Sequence, residues 1–473
     1  MIKKLLLLSV VLSQLAISCS SDDSTDPVKE DPTTEEPVKP TPEQTLEEQV
    51  AAILKQPYST LPPAEQKVKL EAEANEMLVQ LDKTKGSSAI EAIENLSNLI
   101  AISPIDIFGG KNGNQIEEIL NVTDVYGIYT WDNTNGIWVK TASTTELKFV
   151  FPAKASLTSN NAVITSKSVS SSVKVKNVDT YGSWYWNDET NSSGYTQTFY
   201  DEFYLPSSVD ASLTIDGTQA ATIAQTASYS NGKQAPDTFN YKITLNDGYV
   251  WEMSGKKGAS STSTASLTFN GKSLLGFTAG SSANIDGLLS EEQFSSYRGK
   301  ANGLVTLMDN FIIVADMDLA TDASDDLALD NLQSPNSPQD DENPNNDYKA
   351  YYTAVNAYYK KYSEVSATNF NKNIKLTLIS KKEGTKIADI IVRSEEAYSY
   401  TRNLPVWRTE NLYGGKPYWY FNGEGEEFKM QYYEENYYLK FSDQTQVAFS
   451  AYFSEGFGDF QKKFEDFIKA FQK

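Results

Sequence analysis

Histidine is missing from all 473 residues. Its absence removes Ser-His-Asp and Cys-His catalysis, His-ligated zinc and most haem ligation at once, and leaves carboxylates as the abundant proton-transfer groups. Cysteine occurs once, at Cys19. No intrachain disulfide can form, so stability must come from a packed core. Cations are scarce too: 41 Lys and Arg face 63 Asp and Glu, a net charge of −22. A nucleic-acid binder neutralises phosphates with clustered Lys and Arg, so nucleic acid is excluded as a partner, and the same shortage argues against docking on anionic lipid head groups. The leading apolar run, Leu5–Ile17, has about thirteen residues where a spanning helix needs about twenty. What the chain has in quantity is aromatic side chains, 28 Tyr, 21 Phe and 7 Trp, which makes their placement the main functional question.

Lys3 and Lys4 precede that apolar run, and Ala16-Ile17-Ser18 stands just before Cys19. A basic start, a short apolar core and a small residue at the cut describe a cleavable signal peptide over residues 1–18. The stretch ending in the lone cysteine resembles the lipobox of bacterial lipoproteins, in the relaxed form seen in Bacteroidota. Ser20-Ser21-Asp22-Asp23 is similar to the acidic export signal of their surface lipoproteins. The resemblance implies that Cys19 becomes the N-terminus and the lipid anchor, with a diacylglyceryl thioether on its sulfur and an acyl chain such as palmitate on its amine. It also implies an outer-membrane location facing outward, with the membrane as a partner only through the acyl chains. Each buried CH₂ contributes about 0.8 kcal/mol, so several chains hold firmly.

Residues 19–45 are Asp, Glu, Thr, Pro and Lys with almost nothing to bury, an acidic, extended tether. Residues 46–102 read as a helical module. Thr45-Leu46-Glu47-Glu48 is a capping box with Leu46, Val50, Ile53 and Leu54 on one face. A second helix after Pro62-Pro63 turns Leu70, Ala74, Met77, Leu78 and Leu81 inward, and a third from Ser88 buries Ile90, Ile93 and Ile100.

Over 103–322 the period falls to two, predicting a long antiparallel β-meander with one wet face. Tyr126–Trp131 and Ile137–Val139 flank an Asn-Gly corner as a hairpin. Ala155-Ser156-Leu157-Thr158 recurs at Ala211–Thr214 and Ala265–Thr268, the last two running on into Asp216-Gly217 and Asn270-Gly271, while Tyr126-Gly127 echoes as Tyr181-Gly182. These echoes read as a degenerate repeat of about 55 residues, with chance likeness between polar β segments as the rival reading. Ser290-Glu291-Glu292-Gln293 opens a short helix, and Leu304–Met308 with Phe311–Val314 read as a further hairpin or, nearly as well, as a buried helix.

Between Lys300 and Lys349 there are eleven Asp or Glu and no Lys or Arg. Asp322, Ser324 and Asp326 have the spacing of an EF-hand start, but Leu327 stands where Gly is needed and Gln333 where the bidentate Glu belongs. Residues 323–347 are therefore expected to be an acidic linker, with no metal site.

Residues 348–473 should form a smaller α+β domain. A helix from Asp347 to about Ser366 turns Tyr351, Val355, Tyr358 and Tyr359 inward. Strands Ile374–Ile379 and Lys386–Val392 flank a Glu383-Gly384-Thr385 turn, and Phe457, Phe460, Phe464, Phe467 and Phe471 line a final helix. Alternation over the Tyr-rich strand puts Met430, Tyr432 and Tyr438 on one face and Tyr433, Tyr437, Leu439 and Phe441 on the other.

The fold expected is thus α+β, with N-terminal helices, a long antiparallel sheet and a smaller C-terminal sheet under helices. No catalytic motif stands out. Gly255-Lys256-Lys257-Gly258 lacks the strand-loop-helix setting of a phosphate loop. Glu424, Glu426, Glu427, Glu434 and Glu435 would form a glycosidase pair only at the right carboxyl separation, which sequence does not give. The expected activity is capture of an extracellular ligand without a cofactor, a glycan first, through Trp419, Tyr433, Glu434, Glu435 and Tyr437. The competing readings are a carrier of an apolar ligand, a structural surface component and a carboxylate-dependent glycoside hydrolase.

Overall fold

A computed structural model describes residues 45–105, 123, 125–178, 183–187, 190–196, 199–230, 232–285, 297–308, 310–409 and 415–452. Cys19 with its leader and tether, Tyr181-Gly182, the Ser290 helix and the Phe457–Phe471 stripe lie outside the described residues.

The N-terminal helices form where caps and apolar periods coincide: α1 (Leu46–Leu54), α2 (Pro63–Asp82) and α3 (Ser88–Ile102). The Thr45 hydroxyl accepts from the Glu48 amide at 3.2 Å while Glu48 accepts from the Thr45 amide at 2.9 Å, so two otherwise orphaned donors are satisfied. Val50 of α1 is buried against Ile312, Val314 and Ile379. The alternate residues Phe311 and Ala315 join Leu70 of α2 instead, so α1 and α2 sit on opposite faces of one sheet. Met77 of α2 and Leu96 and Leu99 of α3 complete a second core with Tyr129, Phe149, Leu213, Leu245 and Leu267.

The strands are β1 (Gly127–Asp132), β2 (Ile137–Thr141), β3 (Leu147–Phe151), β4 (Ala162–Val178), β5 (Ser183–Asn187), β6 (Ser192–Thr196), β7 (Phe199–Ile215), β8 (Thr218–Ser228), β9 (Thr238–Leu245) and β10 (Tyr249–Lys256). They continue as β11 (Ser261–Phe269), β12 (Lys272–Ser281), β13 (Lys300–Leu307), β14 (Phe311–Asp318), β15 (Ile374–Ser380), β16 (Thr385–Asn403), β17 (Val406–Arg408), β18 (Tyr418–Tyr420), β19 (Glu427–Lys440) and β20 (Gln446–Ala448). Sixteen of them make one sheet in the order β2-β1-β3-β4-β7-β8-β9-β10-β11-β12-β13-β14-β15-β16-β19-β20, while β5–β6 and β17–β18 are separate two-stranded pieces. β1 and β3 are parallel, and every other neighbouring pair is antiparallel. The protein is α+β with a β-rich body, as expected.

Two copies of the predicted repeat are visible as turn chemistry. Asp216-Gly217 and Asn270-Gly271 both take positive φ at each residue, 50° and 76° against 49° and 77°, the twist that a two-residue hairpin requires. A register shift precedes each at the same place, Leu213/Thr214 and Leu267/Thr268, and both leucines are buried. Ala155–Thr158 is corrected from strand to loop between β3 and β4. No Asx-Gly pair follows it, so nothing there closes a hairpin.

The acidic stretch is also corrected. Its first part continues α4 (Leu319–Asp330), capped by the Asp318 carboxylate accepting from the Thr321 amide at 3.0 Å. Asp322, Ser324 and Asp326 are helical, which excludes an EF-hand loop there. Asp325 instead receives bonds from Asn373 at 2.7 Å and Lys372 at 2.9 Å, which hold its carboxyl below the usual range. The sheet does not break here, because β14 pairs directly with β15 across the insertion. Helix α5 (Tyr348–Asn373) then runs seven residues past its expected end at Ser366, to Asn373, and buries Tyr348, Tyr352, Ala367 and Phe370.

From β7 on, each strand opposes its neighbour, so connections alternate between two rims of the sheet. One rim carries only short turns, 216–217, 246–248, 270–271, 308–310, 381–384 and 441–445. The other carries 229–237, 257–260, 282–299, 319–373 and 404–426, together with the β4–β7 connection 179–198. Long connections and their functional side chains therefore gather on one rim.

Candidate functional site

At the long-connection rim, β16 and β19 outrun their neighbours. β15 pairs with β16 only as far as Ile390, and β20 meets β19 only at Tyr438–Lys440, leaving a two-stranded ribbon with both edges open. Helix α5 closes both. The Asn371 amide donates to the Val392 carbonyl at 2.6 Å and accepts from the Val392 amide at 2.8 Å on the β16 edge. The Asn356 amide donates to the Lys429 carbonyl at 2.9 Å and accepts from the Gln431 amide at 3.0 Å on the β19 edge. Each side chain supplies the donor and acceptor of a missing strand, satisfying groups that would otherwise invite edge pairing. Fifteen residues of helix, about 22 Å, separate the two, so α5 crosses the ribbon from edge to edge.

This crossing corrects the simple alternation expected for β19. Leu439 and Phe441 are buried and Tyr437 packs edge-on against Phe370, yet Met430 is also buried on the helix side with Tyr348 and Tyr352. Tyr432 stacks on Tyr359 of α5. Between Glu396 and Ser399 two residues of β16, Ala397 and Tyr398, stand against the single Tyr432 of β19, and residues of opposite parity meet the same helix around this point. Such a bulge sharpens the local twist and re-aims side chains.

The re-aimed rings form an array. Tyr432 lies 4.8 Å from Tyr359 at 26°, 5.2 Å from Tyr398 at 9° and 6.2 Å from Tyr400 at 25°, with Tyr398 and Tyr400 5.9 Å apart at 16°. Tyr359 continues the series through Tyr358 to Tyr362, whose hydroxyl donates to Asp330 of α4 at 2.9 Å. A hydrogen bond to Tyr359 pushes the Tyr432 phenol up. The inner rings are covered by one another, but Tyr398 is 64% exposed. Beside the array the Arg402 guanidinium sits 3.9 Å over the Tyr352 ring, and Arg402 Nε and Gln431 Oε1 are buried without a partner. The arrangement offers near-parallel ring faces with polar groups at their margin, which suits stacking on a flat, hydroxylated ligand.

The five residues expected at the site do not converge. Trp419 is half-buried in β18, 5.2 Å from Tyr348 and 5.6 Å from Trp407, its indole donating to the Asn343 carbonyl at 2.9 Å; it wedges the acidic segment to the start of α5. Tyr437 lies under α5. Glu434 stands directly opposite Glu395, an arrangement that repels, and Asn436 Nδ2 donates to both, at 3.2 and 3.1 Å. The Tyr438 hydroxyl also bonds Glu395, which raises its pKa. Glu435 is exposed opposite Ser394, and Tyr433 is half-buried opposite Glu396. Tyr398 and Tyr400 were missed; the signal was their i, i+2 spacing in Tyr398-Ser399-Tyr400. On the short-turn rim a cavity of about 580 Å³ is lined by Lys154, Asn161, Asp216 and Asn246 among others. Asn161 and Asp216 there already bond each other.

Comparison with known protein families, curated proteins and solved structures finds no match to this chain.

Proposed function

We propose that the protein is a surface lipoprotein, anchored through acyl chains on Cys19, that captures an extracellular glycan on the Tyr359–Tyr432–Tyr398–Tyr400 array. The observation that carries the reading is the near-parallel ring series ending in Tyr398, an exposed face backed by three supporting rings. Isolated exposed rings are ordinary, but a backed series is ordered in advance, which lowers the entropy cost of stacking. Glu395, Glu434 and Asn436 lie on the same ribbon and add hydroxyl-bonding groups.

A glycan array with wild type, Tyr398→Ala and Tyr400→Ala tests it. Each variant should lose about tenfold in affinity, the equivalent of roughly 1.4 kcal/mol, while melting like wild type. Unchanged binding in both variants would remove the array as the site. For the anchor, Cys19→Ala should abolish labelling by radioactive palmitate and release the protein from the membrane fraction. Retained label would place the lipid elsewhere.

A further inference from the structure

The long-connection rim carries a second aromatic surface, at the other end of the sheet. β4 and β7 are paired far beyond their neighbours: β3 meets β4 only at Ala162–Ser166, and β8 meets β7 only at Ser208–Ile215, whereas β4 and β7 stay paired out to Val178 and Phe199. The β5–β6 hairpin lies in the chain between these two long strands. Its first strand is Ser183-Trp184-Tyr185-Trp186-Asn187, and the three aromatics are 74%, 49% and 60% exposed. Alternation puts Trp184 and Trp186 on one face, about 7 Å apart along the strand. Tyr185 turns to the other face and covers Gly194, where a Cβ would lie 2.6 Å from the tyrosine ring. Gly194 thus lets Tyr185 fold flat across the hairpin, which stiffens the strand that presents the two indoles.

The charge around the hairpin selects its occupant. Between Lys176 and Lys233 the sequence holds seven Asp or Glu and no Lys or Arg, against Lys174 and Lys176 of β4 in the same paired stretch. An anionic membrane or polyanion would be repelled. Asn191, Ser192 and Ser193 are exposed at the turn and first positions of β6, neutral groups that match hydroxyls. Two same-face indoles beside neutral hydrogen-bonding side chains fit the apolar face of an uncharged sugar chain.

We infer that the β5–β6 hairpin is a second glycan-stacking platform, so that the ligand is a long uncharged polysaccharide engaging both ends of one rim. The inference rests on the glycan-binding reading of the tyrosine array and narrows its ligand class. Nine strand steps separate β7 from β16, which is about 43 Å along the rim at about 4.8 Å per step. A polymer held at one platform is presented to the other at high effective concentration, and two weak sites then act as a strong one.

The test compares starch, xyloglucan and mannan with their tetrasaccharides, which are too short to span the rim, using wild type, Trp186→Ala, Trp184→Ala with Trp186→Ala, and Trp186→Tyr. The alanine variants should bind the preferred polymer at least tenfold more weakly, bind its tetrasaccharide as wild type does, and melt normally, and Trp186→Tyr should restore most of the loss. If the alanine variants hold the polymer as tightly as wild type while Tyr398→Ala does not, the second platform is refuted and the array survives. Wild type that binds none of these polymers refutes both. Loss of binding to neutral phosphatidylcholine vesicles, with polymer binding intact, would make the hairpin a membrane contact and also overturn the inference.

Discussion

Phe370→Ala is expected to lower stability by about 3–5 kcal/mol, the usual range for a fully packed phenylalanine. Phe370 is 6% exposed and shares a core with Leu376, Ile390 and Leu439, while its ring meets Tyr437 edge-on at 5.7 Å and 81°. It stands one residue before Asn371, whose amide closes the β16 edge. Removing the ring opens a cavity and loosens that closure together. Chemical denaturation gives the measurement, and a double-mutant cycle with Tyr437→Ala should show coupling of about 0.5–1.5 kcal/mol. Stability equal to wild type would mean that α5 does not rest on the ribbon. Tyr398→Ala, at an exposed position, should stay within about 0.5 kcal/mol of wild type, which keeps its binding readout clean.

The second large effect is with pH. Burial pushes Tyr58, Tyr229 and Tyr249 up to about 12, with the Asp389 bond adding to Tyr58 and the Asp247 charge to Tyr249, and burial pushes Tyr452 up further still. A folded-state pKa above the unfolded value of about 10 contributes stability that is complete below pH 10 and is lost as pH rises through 12. On the acid side, hydrogen bonds from Asn135 and Thr134 hold Asp132 low, Thr321 holds Asp318 low, and Thr445 holds Asp443 low. Those contributions are present above about pH 4 and fade below it. With no histidine, and no cysteine among the described residues, no side chain there ordinarily titrates between about pH 6 and 9. Denaturation midpoints should therefore be level across that window, decline below about pH 4 and collapse between 10 and 12. Tyr249→Phe should blunt the alkaline limb. A bend near pH 7 would contradict the account.

The elements legible in the sequence were those whose signal is local. The Thr45 capping box, the Asn135-Gly136 corner and the Asp216-Gly217 and Asn270-Gly271 turns each carry their instruction within a few residues, and each formed. The second half of β16 gave no such sign. Glu395-Glu396-Ala397 has no apolar alternation, because that part of the ribbon has no sheet neighbour beyond β19 and is held by Asn356 and Asn371 from a helix. The bulge between Glu396 and Ser399 places its extra residue in β16, which no count along β19 alone reveals. Helix α4 was hidden for the same reason: its Asp325 is held by Lys372 and Asn373, 47 and 48 residues away. Trp419 read as a free platform because its partner, the Asn343 carbonyl, is 76 residues distant.

The order of the sheet has a consequence for how the molecule comes to exist. From β8 to β14 every strand pairs with the strand just before it in the chain, so each new strand joins a finished edge by closing a single connection. Loop closure over a few residues costs little entropy, and local pairing makes for fast folding. A polypeptide emerging from its N-terminus can thus add strands one at a time. The step that must wait is β15 against β14, since it follows the whole 319–373 excursion. Until α4 and α5 have emerged, the β14 edge stays open, and that interval is when a chaperone has most to protect.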